Sequence, residues 1–309
     1  MSVPRLYLQE ERPNPQRRGL KKGLYLIPSL FTAANILMGF YAVMSAIRGF
    51  QFVSGSAPDF VRASVYFDNG AKAIGLAVLF DMLDGRIARM TKTTTEIGIQ
   101  LDSIADVVTF GLAPAVLAYV WGYGSSLAEG SDLHGLAWAL SCMYLMCGGF
   151  RLARFNVQAT RPRLLAEGTI KVDKKYFVGL PIPCAGGLLA AIIHFTPLPF
   201  ADYAPERAQI YSLLLMTLVG VLSVLMVSTL RFSSLKHVGT RRRSMRTFIL
   251  IVAFAMIIFL YSRYVLLILA ISYIFHGLGS RLLGLFHRRS DRGEVKVEIK
   301  PVGMEQEKS

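Results

Sequence analysis

The chain predicts an all-α integral membrane protein, and three features of the sequence predict it. Hydrophobic residues fill 53% of the 309 positions, with a mean hydropathy of +0.45, well above a soluble domain. Apolar runs suited to the hydrocarbon core, which takes about 20 residues per helix, recur along the chain. The Lys and Arg behind the net charge of +14 sit between those runs. They form no single basic face of the kind a nucleic-acid binder needs, and a membrane surface accounts for them.

The elements follow in order. A basic lead with Arg12, Pro13, Pro15, Arg17, Arg18, Lys21 and Lys22 precedes the first apolar run, and no small-residue cleavage site follows that run. Residues 1–23 are therefore expected to be a retained cytoplasmic tail. About eight transmembrane helices are expected: Leu24 to Ile47, Ala71 to Leu83, Val107 to Tyr123, Leu136 to Phe150, Gly179 to Phe195, Ile210 to Leu230, Phe248 to Tyr261 and Val265 to Leu283. The apolar run from Ala71 is short only because polar residues begin at Asp81, so its helix is expected to start near Asp59 and run past the membrane surface. Gly122 to Gly135, rich in Gly and Ser, reads as an exposed loop. The last two runs turn around Ser262 to Tyr264; one bent helix there would move the C-terminal tail to the other side. After Arg288 the tail is charged and expected to be disordered.

Orientation follows from the basic residues, which enrich cytoplasmic loops. With the N-terminus inside, only Arg48, Arg62, Lys72, Arg207 and Arg263 of the 34 Lys and Arg fall outside. Both termini are thus expected on the cytoplasmic side of a multi-pass cell (inner) membrane protein. Cys142, Cys147 and Cys184 lie in apolar stretches without CxxC spacing, which makes them packing residues.

The chemistry concentrates in one segment, DMLDGRIARMTKTTTEIGIQLDSIAD from Asp81 to Asp106. Asp81 and Asp84 are three apart, Asp102 and Asp106 four apart, so each pair projects from one helix face. Charged groups at membrane helices are costly unless they serve a site. Four carboxylates at close range cannot all stay ionised without cations, and an oxygen-only set favours Mg2+ or Mn2+ over zinc. A surface charge network with Arg86, Arg89 and Lys92 is the bland alternative. Gly85 costs roughly 1 kcal/mol relative to Ala inside a helix, which points to a ligand approaching the backbone; Gly98, at the start of the next helix, serves the same purpose or is a loop or cap residue.

Asp81, Asp84, Gly85, Ala88, Arg89, Gly98, Asp102 and Asp106 match at every position the signature D-x-x-D-G-x-x-A-R-x8-G-x-x-x-D-x-x-x-D, and the chain thereby resembles the CDP-alcohol phosphotransferase family. Four further segments resemble the bacterial branch of that family that makes phosphatidylserine: IPSLFTAANILMGF (Ile27 to Phe40), RLARFNV (Arg151 to Val157), FVGLPIP (Phe177 to Pro183) and VSTLRFSSLK (Val227 to Lys236). The resemblance implies a six-helix catalytic core over residues 24–235; the apolar runs beyond it lead to the expectation of additional helices over 236–285, and the charge to that of a cytoplasmic tail over 286–309. It implies transfer of a phosphatidyl group from CDP-diacylglycerol to L-serine, with CMP released, by a metal-dependent enzyme holding two ions. Asp81, Asp84 and Asp102 are implied as metal ligands and Asp106 as ligand and general base. Asp81, Gly85, Arg89 and Gly98 are implied at the nucleotide, and a homodimer is implied as well.

Other positions stay open. Thr32 and Asn35, polar groups in the first span, serve either helix packing or nucleotide contact. Arg151 and Arg154 are placed to meet an anion: the serine carboxylate, the lipid phosphate or simply lipid head groups, the first two favoured by Asn156 as a neutral partner. Arg231, Lys236 and the run Arg241 to Arg243 read as a topological basic rim. Two rivals remain: an inositol phosphate or glycerol phosphate acceptor, which would demand a denser basic pocket, and a cation transporter, which would spread its acidic groups over several spans near the midplane.

Overall fold

The structure, a computed structural model, describes residues 15–91, 96–160, 176–228, 231–233, 262–273 and 275. The order is α1 (Pro15–Ser54), α2 (Phe60–Thr91), α3 (Glu96–Asp106), a π-helical turn (Val107–Leu112), α4 (Ala113–Ala118), a second π turn (Tyr119–Tyr123), α5 (Asp132–Thr160), β1 (Tyr176–Val178), α6 (Ile182–Phe195), α7 (Pro205–Val227) and β2 (Arg231–Ser233). A further helix, α8, spans Ser262–Tyr273. Residues 96–123 form one helical run, so the six long helices expected as the core are present.

Five of these are long and apolar enough to cross a membrane: Leu30–Ser54, Ile97–Tyr123, Asp132–Val157, Ile182–Asp202 and Pro205–Val227. The sixth, α2, carries Asp68, Asn69 and Lys72 within its length, which lowers its apolarity. It starts at Phe60, as the sequence suggests, because Asp59 caps it: Asp59 Oδ1 accepts from the Arg62 N–H at 2.9 Å.

Several expected bounds shift. Helix α1 reaches back to Pro15, a residue suited to a first helical turn, so helix replaces much of the expected tail. Helix α6 begins at Ile182 instead of Gly179, because Tyr176–Val178 pairs antiparallel with Arg231–Ser233. The sixth span ends at Val227 instead of Leu230. The expected turn at Ser262 to Tyr264 lies inside α8. The seventh span, Phe248 to Tyr261, lies outside the described residues.

Small residues let the helices approach, the usual device where lipid removes the hydrophobic drive between helices. Helices α1 and α2 form an antiparallel pair with Ala42, Ala46, Ala63, Ala71 and Ala77 buried, Phe52 stacked on Tyr66 at 5.5 Å and Phe31 against Phe80 at 6.2 Å. Gly39 lies where any side chain would collide with Thr109. Large apolar residues such as Leu37, Phe40, Val61, Trp138 and Leu214 face outward, as a lipid-facing surface requires. The run Ile97–Tyr123 is the central helix, 61% buried across its apolar window, whereas Asp132–Val157 is 22% buried. The three cysteines are free thiols.

Candidate functional site

Helix α3 follows α2 in the chain, and its Asp102 and Asp106 lie beside Asp81 of α2. One carboxylate oxygen from each of the three lies within 4.8 Å of the others. Asp106 is buried, at 8% exposure, and Asp102 Oδ1 is buried with no hydrogen-bond partner among the described residues. Uncompensated carboxylates this close repel strongly. Oxygen ligands at this spacing are the donor set a hard divalent cation takes, so the residues fit the metal expected from the sequence. Asp84, Gly85 and Arg89 belong to α2, but their side chains lie outside the described residues. Gly98 falls in the first turn of α3.

The helix changes pitch immediately after Asp106. The π-helical turn Val107–Leu112 re-aims the rest of the central helix, a device frequent at functional sites. Thr109 within it, fully buried, donates to the Asn35 carbonyl at 3.0 Å, which locks α1 against the carboxylate helix. Asn35 is also fully buried, and neither its amide nitrogen nor its amide oxygen has a hydrogen-bond partner among the described residues. An orphaned buried polar group costs about 1–3 kcal/mol, so an amide left open on both sides marks a place for a polar ligand. Thr32, 6% exposed, is three residues earlier on the same face of α1.

Helix α5 supplies the cation. Arg151, 9% exposed, is near enough to Asp81 and Asp106 to interact with their charge, and its Nε is buried without a hydrogen-bond partner among the described residues. Arg154 and Asn156 are engaged with neighbouring helices. Arg154 Nη1 donates to the Val227 carbonyl at 3.1 Å and Nη2 to that of Ser228 at 3.3 Å, where the C-terminus of α7 offers unpaired carbonyls. Asn156 Nδ2 donates to Ser103 Oγ at 2.8 Å, beside Asp102.

Three sequence segments singled out separately therefore meet. FVGLPIP and VSTLRFSSLK pair as β1 and β2, with Phe177 opposite Phe232, and Leu180 N–H donates to the Leu225 carbonyl at 3.1 Å. RLARFNV caps the same corner through Arg154. Gly179 makes the corner possible: its φ of +82° is open to glycine, and a Cβ there would overlap the Met226 carbonyl. Sequence reasoning missed Thr109, although a polar residue three positions after Asp106 was a readable signal. It also missed Tyr273 and Cys184, which lie near Arg151 and which no motif marked.

The chain is similar to several known proteins. A family model for CDP-alcohol phosphatidyltransferase matches residues 25–204. A Helicobacter pylori protein named CDP-diacylglycerol--serine O-phosphatidyltransferase is 31% identical over 237 residues, covering 76% of this chain and 82% of its own. A Saccharomyces cerevisiae protein of the same name is 32% identical over 183 residues, covering 57% of this chain and 59% of its own. One from Methanocaldococcus jannaschii is 40% identical over 121 residues, covering 39% of this chain and 48% of its own.

Proposed function

This chain belongs to the CDP-alcohol phosphatidyltransferase family, and we propose that it transfers a phosphatidyl group from CDP-diacylglycerol to L-serine. The products are phosphatidylserine and CMP. The observation that carries the reading is the meeting of three carboxylates within 4.8 Å beside a buried arginine.

Asp81, Asp84, Asp102 and Asp106 would hold Mg2+ or Mn2+, two ions in our reading, which when bound neutralise charge on the pyrophosphate. Asn35 and Thr32 face the donor nucleotide, supported by the unfilled amide of Asn35; Gly85, Arg89 and Gly98 complete that side. Arg151 meets the serine carboxylate as a charge-assisted donor. Arg154 and Asn156, held to Val227, Ser228 and Ser103, fix the wall from which Arg151 reaches. Asp106 takes the serine hydroxyl proton as that oxygen attacks the phosphorus carrying the diacylglycerol. The bond from phosphorus to the CMP oxygen then breaks. Transfer of this kind needs placement and charge more than covalent help from the protein.

In our reading residues 24–235 form the catalytic core and 236–285 carry additional helices. The protein works as a homodimer in the inner membrane with both termini cytoplasmic. The test is release of CMP from radiolabelled CDP-diacylglycerol with serine, inositol phosphate or glycerol phosphate supplied in parallel. Serine-dependent release is expected; release with a phosphorylated acceptor and not with serine would contradict the assignment.

A further inference from the structure

At the far end of α2 a second polar cluster joins three helices. Asp68 precedes Asp81 by thirteen positions, about 20 Å of helix. Asp68 and His194 are buried, at 8% and 4% exposure. Asp68 Oδ2 pairs with Lys72 Nζ at 2.7 Å, while Oδ1 meets His194 Nδ1. His194 Nε2 in turn lies 2.9 Å from Ser262 Oγ. Pairing with Lys72 keeps Asp68 ionised and an acceptor, so His194 Nδ1 carries the shared proton. With Nδ1 as the donor, Nε2 is placed to accept the Ser262 hydroxyl. A nucleophile, a base and a carboxylate that fixes the tautomer of the base stand in line, the arrangement by which Ser-His-Asp chemistry is identified whatever the fold.

The cluster opens on a cavity of about 870 Å³ between α2, α6 and α8. Lys72, His194 and Ser262 line one end, Cys184 and Tyr273 the other, and the wall between is aliphatic. That volume is in the range of small-molecule sites, roughly 300–1,000 Å³, and the wall suits an alkyl chain. The far end, at Cys184 and Tyr273, reaches toward Arg151, while phosphatidyl transfer uses none of Asp68, His194 and Ser262 at this end.

We propose that Ser262, His194 and Asp68 form a second catalytic site, a serine esterase centre for long-chain carboxylic esters. Ser262 Oγ attacks the ester carbonyl carbon as its proton passes to His194 Nε2. The bond from that carbon to the alkoxy oxygen breaks, and the departing alcohol takes the proton. Water then attacks the acyl carbon and gives a proton to His194; the acyl bond to Oγ breaks, the proton returns to Oγ, and a carboxylic acid leaves. Lys72, bound to Asp68 Oδ2, holds that carboxylate in place behind the histidine.

The test exposes the full chain, in membranes, to a fluorophosphonate bearing a long alkyl chain, with the adduct located by peptide mass spectrometry. An adduct on Ser262 is expected in the wild type and equally in Asp106→Asn, with labelling of that peptide absent in Ser262→Ala and down about tenfold or more in His194→Gln. Serine-dependent CMP release at the wild-type rate by Ser262→Ala shows that its fold is intact. A wild type that takes no adduct on Ser262 while a reference serine hydrolase in the same membranes is labelled overturns the proposal, as does His194→Gln labelling as strongly as wild type.

Discussion

Asn156 donates its side-chain amide to Ser103 Oγ at 2.8 Å, and Ser103 adjoins Asp102. The bond holds the end of α5 to the carboxylate helix, so the cation and the carboxylates keep a fixed spacing. Removing it leaves Ser103 its bond to the Ile99 carbonyl, so Asn156→Ala is expected to cost about 1 kcal/mol of stability. Turnover should fall several-fold while CDP binding holds. Thermal unfolding in detergent beside steady-state kinetics checks both.

Arg151 is the buried cation facing Asp81 and Asp106. Losing a charge-assisted bond to a carboxylate costs about 1.5–3 kcal/mol, so Arg151→Ala should raise the KM for serine roughly 10- to 100-fold. CDP-diacylglycerol binding should change less. Arg151→Lys restores charge without the planar fork and should recover only part. Serine titrations at saturating donor measure the difference, and unchanged serine kinetics would return Arg151 to a structural role.

Gly179 tests the corner where three motif segments meet. Its φ is +82°, and a side chain there would run into the Met226 carbonyl. Gly179→Ala is expected to cost more than about 1 kcal/mol, to separate β1 from β2 and to lower the yield of folded protein. Size-exclusion profiles and melting temperatures in detergent report the loss.

The carboxylates need cations to coexist. Treatment with a chelator is expected to abolish CMP release, and adding back Mg2+ or Mn2+ to restore it. Full turnover in a metal-free preparation would sink the metal reading.

Much of this site was legible because the sequence repeats a helix spacing. Asp102 and Asp106 share a face of α3 by the i, i+4 rule, and the fold brings Asp81 of α2 to them. The boundary at Asp59 was legible because a capping carboxylate stands there. What escaped was tertiary. Pairing of Phe177 with Phe232 depends on residues 55 positions apart, and the π turn after Asp106 has no signature in composition. The engagement of Arg154 with Val227 and Ser228 was invisible for the same reason: a lone arginine at a span end looks alike whether it meets a ligand or caps a helix.

The most direct test is serine-dependent CMP release by Asp106→Asn, read beside its binding of CDP by calorimetry. Asn is nearly isosteric with Asp but accepts no proton, so binding should survive while turnover falls about 100-fold or more, the usual scale for loss of a general base. Asp81→Asn, measured alongside, should lose CDP binding as well. A near-normal rate for Asp106→Asn would contradict the account.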